Sequence, residues 1–303
     1  TLETIDQLQK QKDRNQPFFI AAGFWKPHLP FAAPKKYWEL YDRQGIPLTN
    51  HQKAPVGAPH IVHAWSELAA YHPYTWMDTL VDYRNVQLRE MQRRQLRHGY
   101  LACVSFIDAQ VGMLLEELEK QGLAENTIVA LMADHGWHLG DQAVWGKHTL
   151  YELALRVPMI IYDPTTDWPA SRLNHFVELV DLYPTLSELA GLPEPAEFDG
   201  NNLVPLFERP DSPVEGYAVS MYRPHADPYK PIQGYTIRTK DYRYIEWKNW
   251  ENGNQVVRRE IYDYLEEAVE IRNHIEIPRF YHIADSLSGE LNVKLDSCYQ
   301  EQL

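Results

Sequence analysis

Long hydrophobic runs are missing from this sequence. No apolar stretch approaches the roughly 20 residues that a bilayer-spanning helix needs, so no membrane span is expected. Cysteine is scarce, with two residues in 303, Cys103 and Cys298. Two cysteines fix neither a disulfide framework nor a redox compartment, and a Cys103–Cys298 bridge is left open. Positive charge is in deficit: 29 Lys and Arg against 42 Asp and Glu give a formal net charge of −13. A chain this acidic is no general binder of nucleic acid or anionic membranes, although a few cations gathered in one cleft can still hold an anion. Internal repeats and low-complexity tracts are absent. The first residue is Thr1 rather than Met, inside a polar helical stretch over residues 1–16, so the true start of the polypeptide is expected elsewhere.

What is present suits a globular enzyme-sized unit. Hydrophobic residues make up 44% of the chain, enough for a sizeable core, and aromatics 12%, with 9 Trp and 19 Tyr. Aromatic-rich loops line sugar clefts, but the same residues pad large cores. The run Pro17-Phe18-Phe19-Ile20-Ala21-Ala22-Gly23 predicts a buried strand. Phe24-Trp25-Lys26-Pro27-His28-Leu29-Pro30-Phe31, where two prolines forbid regular structure, predicts an extended loop. Residues 45–85 show no clear period and read as a long surface excursion. Residues 88–121 carry apolar positions at spacings of three and four, including Leu101, Val104, Val111, Leu115 and Leu118, and Gly122 stops that helix. Residues 126–133 and 157–162 predict buried strands, and residues 176–189 a helix. This alternation predicts an α/β fold, a largely parallel sheet flanked by helices, over residues 1–207.

The character changes after that. Residues 234–239 and 242–247 flank Lys240-Asp241 as a hairpin, residues 256–262 add a third antiparallel strand, and residues 266–275 read as a helix. Residues 208–303 are therefore expected to form a smaller subdomain with an antiparallel sheet.

Three places stand out chemically. Asp134-His135-Gly136 follows directly on a predicted strand, where α/β sheets collect ligands, and an Asp oxygen beside a His nitrogen can face one cation. The plainer reading has Asp134 capping the next segment and His135 packing. Lys147, in a loop with three glycines among tryptophans and imidazoles, offers a compact charge and three donors to an anion; most lysines are merely solvated. His28, held between Pro27 and Pro30, suits an anion donor or an acid for a leaving group, though a lone His is more often structural.

Together these segments resemble a known family. Asp134-His135-Gly136-Trp137-His138-Leu139-Gly140, followed by Trp145-Gly146-Lys147-His148-Thr149, is similar to the second signature block of formylglycine-dependent sulfatases. Lys26-Pro27-His28-Leu29-Pro30-Phe31 resembles the segment those enzymes carry upstream of it. Val180-Asp181-Leu182-Tyr183-Pro184-Thr185-Leu186 and Gly234-Tyr235-Thr236-Ile237-Arg238-Thr239 resemble the iduronate-2-sulfatase branch, and Glu260-Ile261-Tyr262-Asp263 the closing segment. The likeness runs from about residue 17 to 275.

The resemblance implies an alkaline-phosphatase-like fold, here incomplete, and hydrolysis of a sulfate ester on a sulfated carbohydrate. Asp134 and His135 would ligate one divalent cation, usually calcium. Lys147 and His28 would grip the sulfate, His28 also protonating the departing alcohol. Trp137, His138, Tyr222, Arg223 and His225 would face the substrate. A periplasmic, extracellular or lysosomal location is implied as well.

The resemblance also exposes what the sequence lacks. The family's formylglycine is made from Cys or Ser in a C/S-x-P-x-R motif, and no such motif occurs; Cys103 is followed by Val104-Ser105-Phe106. The paired metal-binding aspartates and the Lys and His near the nucleophile are missing too. An N-terminal half of the same enzyme is expected to supply them, and without it the sheet should lack strands and leave an apolar edge and face exposed. Two other readings stay open: a phosphatase or phosphodiesterase of the same superfamily, and a non-catalytic binder of anionic sugars.

Overall fold

The computed structural model describes the chain apart from residues 13–15, 64–66, 72–87, 169, 194–197, 213, 215, 225–226 and 301–303; for 63, 69–70 and 297–300 it describes the backbone alone. Helix α1 (Leu2–Gln11) is polar with Leu8 turned inward. It is tied to a later helix by Thr1 Oγ1 donating to Gln110 Oε1 at 2.7 Å and Gln9 Nε2 to Glu117 Oε1 at 2.8 Å. Residues 17–23 do not form the buried strand expected of them. They run extended without a pairing partner among the described residues, and Phe19 is 86% exposed. An apolar strand is stable only where a neighbour takes up its backbone groups and covers its side chains, and no described strand lies alongside.

The loop that follows leads into the single turn α2 (Lys35–Trp38) and then α3 (Glu90–Lys120), 31 residues closed by Gly122 at φ +70°. Leu96 and Cys103 on α3 pack with Leu29, Phe31, Leu68 and Leu88. Contact is so close that a Cβ on Gly99 would lie 2.8 Å from Phe31 Cβ and 2.9 Å from the Trp38 ring. Cys103 is a buried free thiol, as its apolar surroundings suggested, so it forms no bridge; the Cys298 side chain lies outside the described residues.

Beyond α3 the chain forms β1 (Val129–Met132), β2 (His138–Leu139), β3 (Trp145–Gly146), α4 (Glu152–Leu155) and β4 (Met159–Tyr162). Helices α5 (Leu182–Leu189) and α6 (Val204–Glu208) close this part, α5 shorter than the helix read over 176–189. The α/β class holds, but β1 and β4 pair antiparallel, Val129 opposite Tyr162. A parallel pair needs a crossover that returns the chain to the same end of the sheet. Residues 133–158 contain only a short ribbon and the four-residue α4, so the chain comes back antiparallel. Nor are the two strands buried on both faces: Met132, Ile160 and Tyr162 are each at least half exposed.

The second part is an antiparallel sheet in the order β5 (Ala218–Tyr222), β6 (Ile232–Arg238), β7 (Tyr242–Asn249) and β8 (Gln255–Asp263). The expected hairpin is β6–β7, closed by Thr239 N–H donating to Tyr242 O at 2.9 Å. Residues 266–275 are not helical. Their backbone bonds run across the fold, His274 N–H to Ile261 O and Asn273 N–H to Val56 O, and Glu270 is buried against Arg243. The helix of this region is α7 (Tyr281–Gln300), whose Ala284, Leu287 and Leu291 cover Ile237, Tyr244 and Ile261. The other face of the sheet shares a core with the first part, where Ile245, Trp247 and Tyr262 pack on Ile61, Leu150 and Tyr151.

Candidate active site

Strand β1 delivers Asp134-His135-Gly136 directly. Gly136 is required here: its N–H donates to Ala154 O at 2.7 Å, and a Cβ would lie 2.1 Å from Leu153 O. The turn is thereby locked onto α4. His135 Nδ1 faces Gly136 O at 2.9 Å, so that nitrogen carries the proton and Nε2 keeps its lone pair. This Nε2 stands 3.6 Å from Asp134 Oδ2, and the Asp134 side chain is 85% exposed. A carboxylate oxygen and an imidazole nitrogen with a backbone-fixed tautomer make a sound pair of donors for a divalent cation. They are two ligands, and among the described residues no cluster of three or more forms.

The β2–β3 ribbon, with Leu139 opposite Trp145, carries the chain from this turn to Lys147. Gly140, at φ +93°, packs flat on the Trp145 ring, where a Cβ would come within 2.6 Å. Lys147 Nζ lies 2.5 Å from His28 Nε2. His28 Nδ1 donates to Leu29 O at 2.8 Å, which leaves Nε2 free to accept from the ammonium. The His28 ring also stands edge-on to Trp137 (5.5 Å between centroids) and to His135 (6.4 Å). His28, Asp134, His135 and Lys147 therefore gather in one place, far apart though they are in sequence.

A fifth residue completes the group. Glu67, buried, accepts from Lys147 Nζ through Oε1 at 3.0 Å, the same oxygen lying 3.0 Å from His28 Nε2; Oε2 lies 3.3 Å from His148 Nε2. Burial pushes the Glu67 carboxyl up, but hydrogen bonds from His148 and Lys147, with their charges, outweigh it and hold it at about 2. The carboxylate is thus ionised across the physiological range.

Comparison with known proteins places the chain in a family. The family described as Sulfatase matches residues 1–192, well over half of the chain. The chain belongs to the sulfatase family. A second family, described as N-sulphoglucosamine sulphohydrolase, C-terminal, matches residues 140–296. Iduronate 2-sulfatase of Mus musculus is 34% identical, the match covering 82% of this chain and 54% of that protein. The chain thus spans about half the length of this relative. The fold is shared with a structure in complex with its substrate D-glucosamine-2-N,6-O-disulfate (TM-score 0.75, 20% identity, 96% of this chain and 69% of that one). It is equally shared with phosphonate monoester hydrolase of Agrobacterium radiobacter (TM-score 0.75, 19% identity, 96% and 59%).

In this sulfatase chain the remaining expected residues fall unevenly. Trp137 lines the group, its ring 5.4 Å from Lys147 Nζ. Tyr222 reaches its edge, the ring 5.7 Å from that of His148; burial, then the nearby Glu67 charge, push its hydroxyl up to about 12. His138 does not face the site. It is fully buried, its Nε2 2.9 Å from Thr149 Oγ1, where it holds the turn after Lys147 from below. Arg223 lies over the Trp250 ring, 4.8 Å from its centroid. His225 lies outside the described residues. The sequence alone does not single out Glu67 and His148: His148 adjoins Lys147 in the signature block, whereas nothing around Glu67 marks it.

The antiparallel sheet anchors the Lys147 turn. Tyr151, four residues on, donates its hydroxyl to Glu260 Oε2 at 3.1 Å, and Glu260 also accepts from Tyr262 (2.5 Å) and Trp247 Nε1 (2.7 Å). Burial pushes the Glu260 carboxyl up to about 7 despite these donors. Buried Arg243 pairs with Glu152 Oε2 at 2.5 Å and Glu270 Oε1 at 3.0 Å, and Glu270 in turn accepts from the Glu152 N–H that opens α4.

Proposed function

We propose that this chain is the downstream part of a sulfuric ester hydrolase acting on a sulfated carbohydrate. The observation that carries the reading is the Lys147–His28 contact of 2.5 Å beside the Asp134–His135 pair: a fixed cation, a fixed imidazole and two metal donors around one space. Lys147 holds a sulfuryl oxygen, and transfer of the sulfuryl group spreads negative charge that such preorganised donors stabilise. His28 Nε2, which accepts from the Lys147 ammonium, takes up that proton and passes it to the alcohol oxygen as its bond to sulfur breaks. Asp134 and His135 would provide two ligands of one divalent cation, calcium, which supplies charge stabilisation at the sulfuryl oxygens. The nucleophile, a formylglycine, and the paired aspartates would come from an N-terminal portion of the same enzyme. Unpaired residues 17–23 and the half-exposed Met132, Ile160 and Tyr162 support such a portion completing the sheet. The names of the mouse relative and of the disulfated glucosamine complex support a sulfated sugar as substrate.

The test is turnover of an aryl sulfate by the full-length polypeptide, with mass spectrometry of its C/S-x-P-x-R peptide. Hydrolysis with a formylglycine at that position is expected. An unmodified Cys or Ser, or two zinc ions per site with phosphate-ester turnover, would move the assignment to the phosphatase side of the superfamily, whose fold the phosphonate hydrolase shares.

A further inference from the structure

Glu67 is an unexpected neighbour for an anion pocket. Its buried carboxylate neutralises Lys147, the cation that a sulfate ester would have to meet, so it weakens ground-state attraction for that ester. Such a group persists where its geometry is needed. A lysine side chain has many rotamers to lose, and nothing in a flexible four-carbon stem directs its ammonium at an imidazole. Glu67 Oε1 sits 3.0 Å from both Lys147 Nζ and His28 Nε2, the third corner of a triangle whose other side is the 2.5 Å Lys147–His28 contact. Its second oxygen is held by His148, the residue next to Lys147 in the chain. One carboxylate thus pins Lys147 and His148 directly and His28 through the Lys147 ammonium, and among the described residues one of the three Lys147 N–H groups is left for a sulfuryl oxygen.

We propose that Glu67 is a positioning residue of the sulfate pocket, fixing the Lys147 ammonium against His28 and weakening ground-state anion binding in doing so. The proposal rests on the sulfate-ester reading above. In the full-length polypeptide with an aryl sulfate, Glu67→Gln is expected to lower kcat about ten- to a hundredfold, as loss of an orienting partner does. KM should stay level or fall, and inorganic sulfate should inhibit more tightly, because a like charge has gone. Glu67→Asp, which keeps the charge on a shorter stem, should recover part of kcat. A role confined to holding the fold would lower the melting temperature and leave kcat and KM of the folded enzyme unchanged; kcat within about twofold of the parent overturns the proposal.

If Glu67→Gln does not fold, His148→Gln loosens the same carboxylate from its other end. It should give a smaller fall in kcat with KM level, and an unchanged kcat there also overturns the proposal. A parent polypeptide that hydrolyses no sulfate ester sinks the functional reading instead. Calorimetry with inorganic sulfate then decides Glu67 separately: tighter binding by the Gln variant supports the positioning role, and equal or weaker binding ends it.

Discussion

Lys147 and His28, 119 positions apart, meet through a 2.5 Å hydrogen bond between ammonium and imidazole. Neither side chain is anchored by its own element: one stands on a loop after a two-residue strand, the other on a proline-bounded loop. Lys147→Ala should therefore remove anion stabilisation, and because it leaves the buried Glu67 carboxylate without its ammonium it should also lower the melting temperature. Turnover of an aryl sulfate by the full-length polypeptide is expected to fall at least about a hundredfold, the scale seen when one preorganised donor is lost. Lys147→Arg should not restore it, since a planar guanidinium cannot occupy the point between Glu67 and His28. A loss of turnover that persists at temperatures where the variant is fully folded would show that it is chemical.

Asp134 offers a cleaner test of the cation. Its side chain is largely in solvent and its partners among the described residues are the backbone and ring of its neighbour His135, so truncation should cost the fold little. Asp134→Ala is expected to weaken calcium binding by about ten- to a hundredfold, measured as metal content by elemental analysis and by calcium titration. Undiminished calcium occupancy in that variant would remove Asp134 from the ligand set.

The anchor behind the site answers to stability rather than to activity alone. Arg243→Ala would leave Glu270 buried without its cation, and Glu152 without its shortest bond. Breaking a buried ion pair by removing one partner costs about 3–5 kcal/mol, which a denaturant titration resolves. A loss below about 1 kcal/mol would mean that the pair is dispensable and that the antiparallel sheet does not brace α4.

Local pattern and tertiary placement were legible to different degrees. The β6–β7 hairpin and α3 could be read directly, because alternation and three-four spacing are properties of a segment and its own burial. The helix α7 carries the same three-four spacing in Ala284, Leu287 and Leu291. Residues 17–23 carry a strand's composition and form none, since pairing is a property of the neighbour. Residues 266–275 look helical, yet Glu270 is drawn into Arg243 and the backbone bonds go to Val56 and Ile261. At the site, Asp134, His135, Lys147 and His28 were individually weak signals; the likeness to a family joined them. Glu67 carries no signal at all, because what sets it apart is the distance to three side chains and not its place in a pattern.

Glu260 gives the fold a pH dependence whose sign follows from its burial. The carboxyl stands near 4.5 when unfolded and at about 7 in the folded chain, raised by desolvation against the donors Tyr262, Trp247 and Tyr151. A group whose folded value is the higher one contributes stability fully below the lower value and loses it as pH rises through the upper. Stability attributable to Glu260 should therefore decline from about pH 4.5 to about pH 7 and stay level above. Glu67, held at about 2, acts in the opposite sense and only at lower pH, losing its contribution as pH falls from about 4.5. Glu260→Gln keeps an acceptor for Trp247 Nε1, offers amide N–H groups that the rotatable Tyr151 and Tyr262 hydroxyls can accept, and cannot ionise. Denaturant titrations of parent and variant should therefore converge near pH 4.5 and separate toward pH 7, the variant losing less stability over that interval. Parallel curves across that interval would mean that the carboxyl does not titrate there.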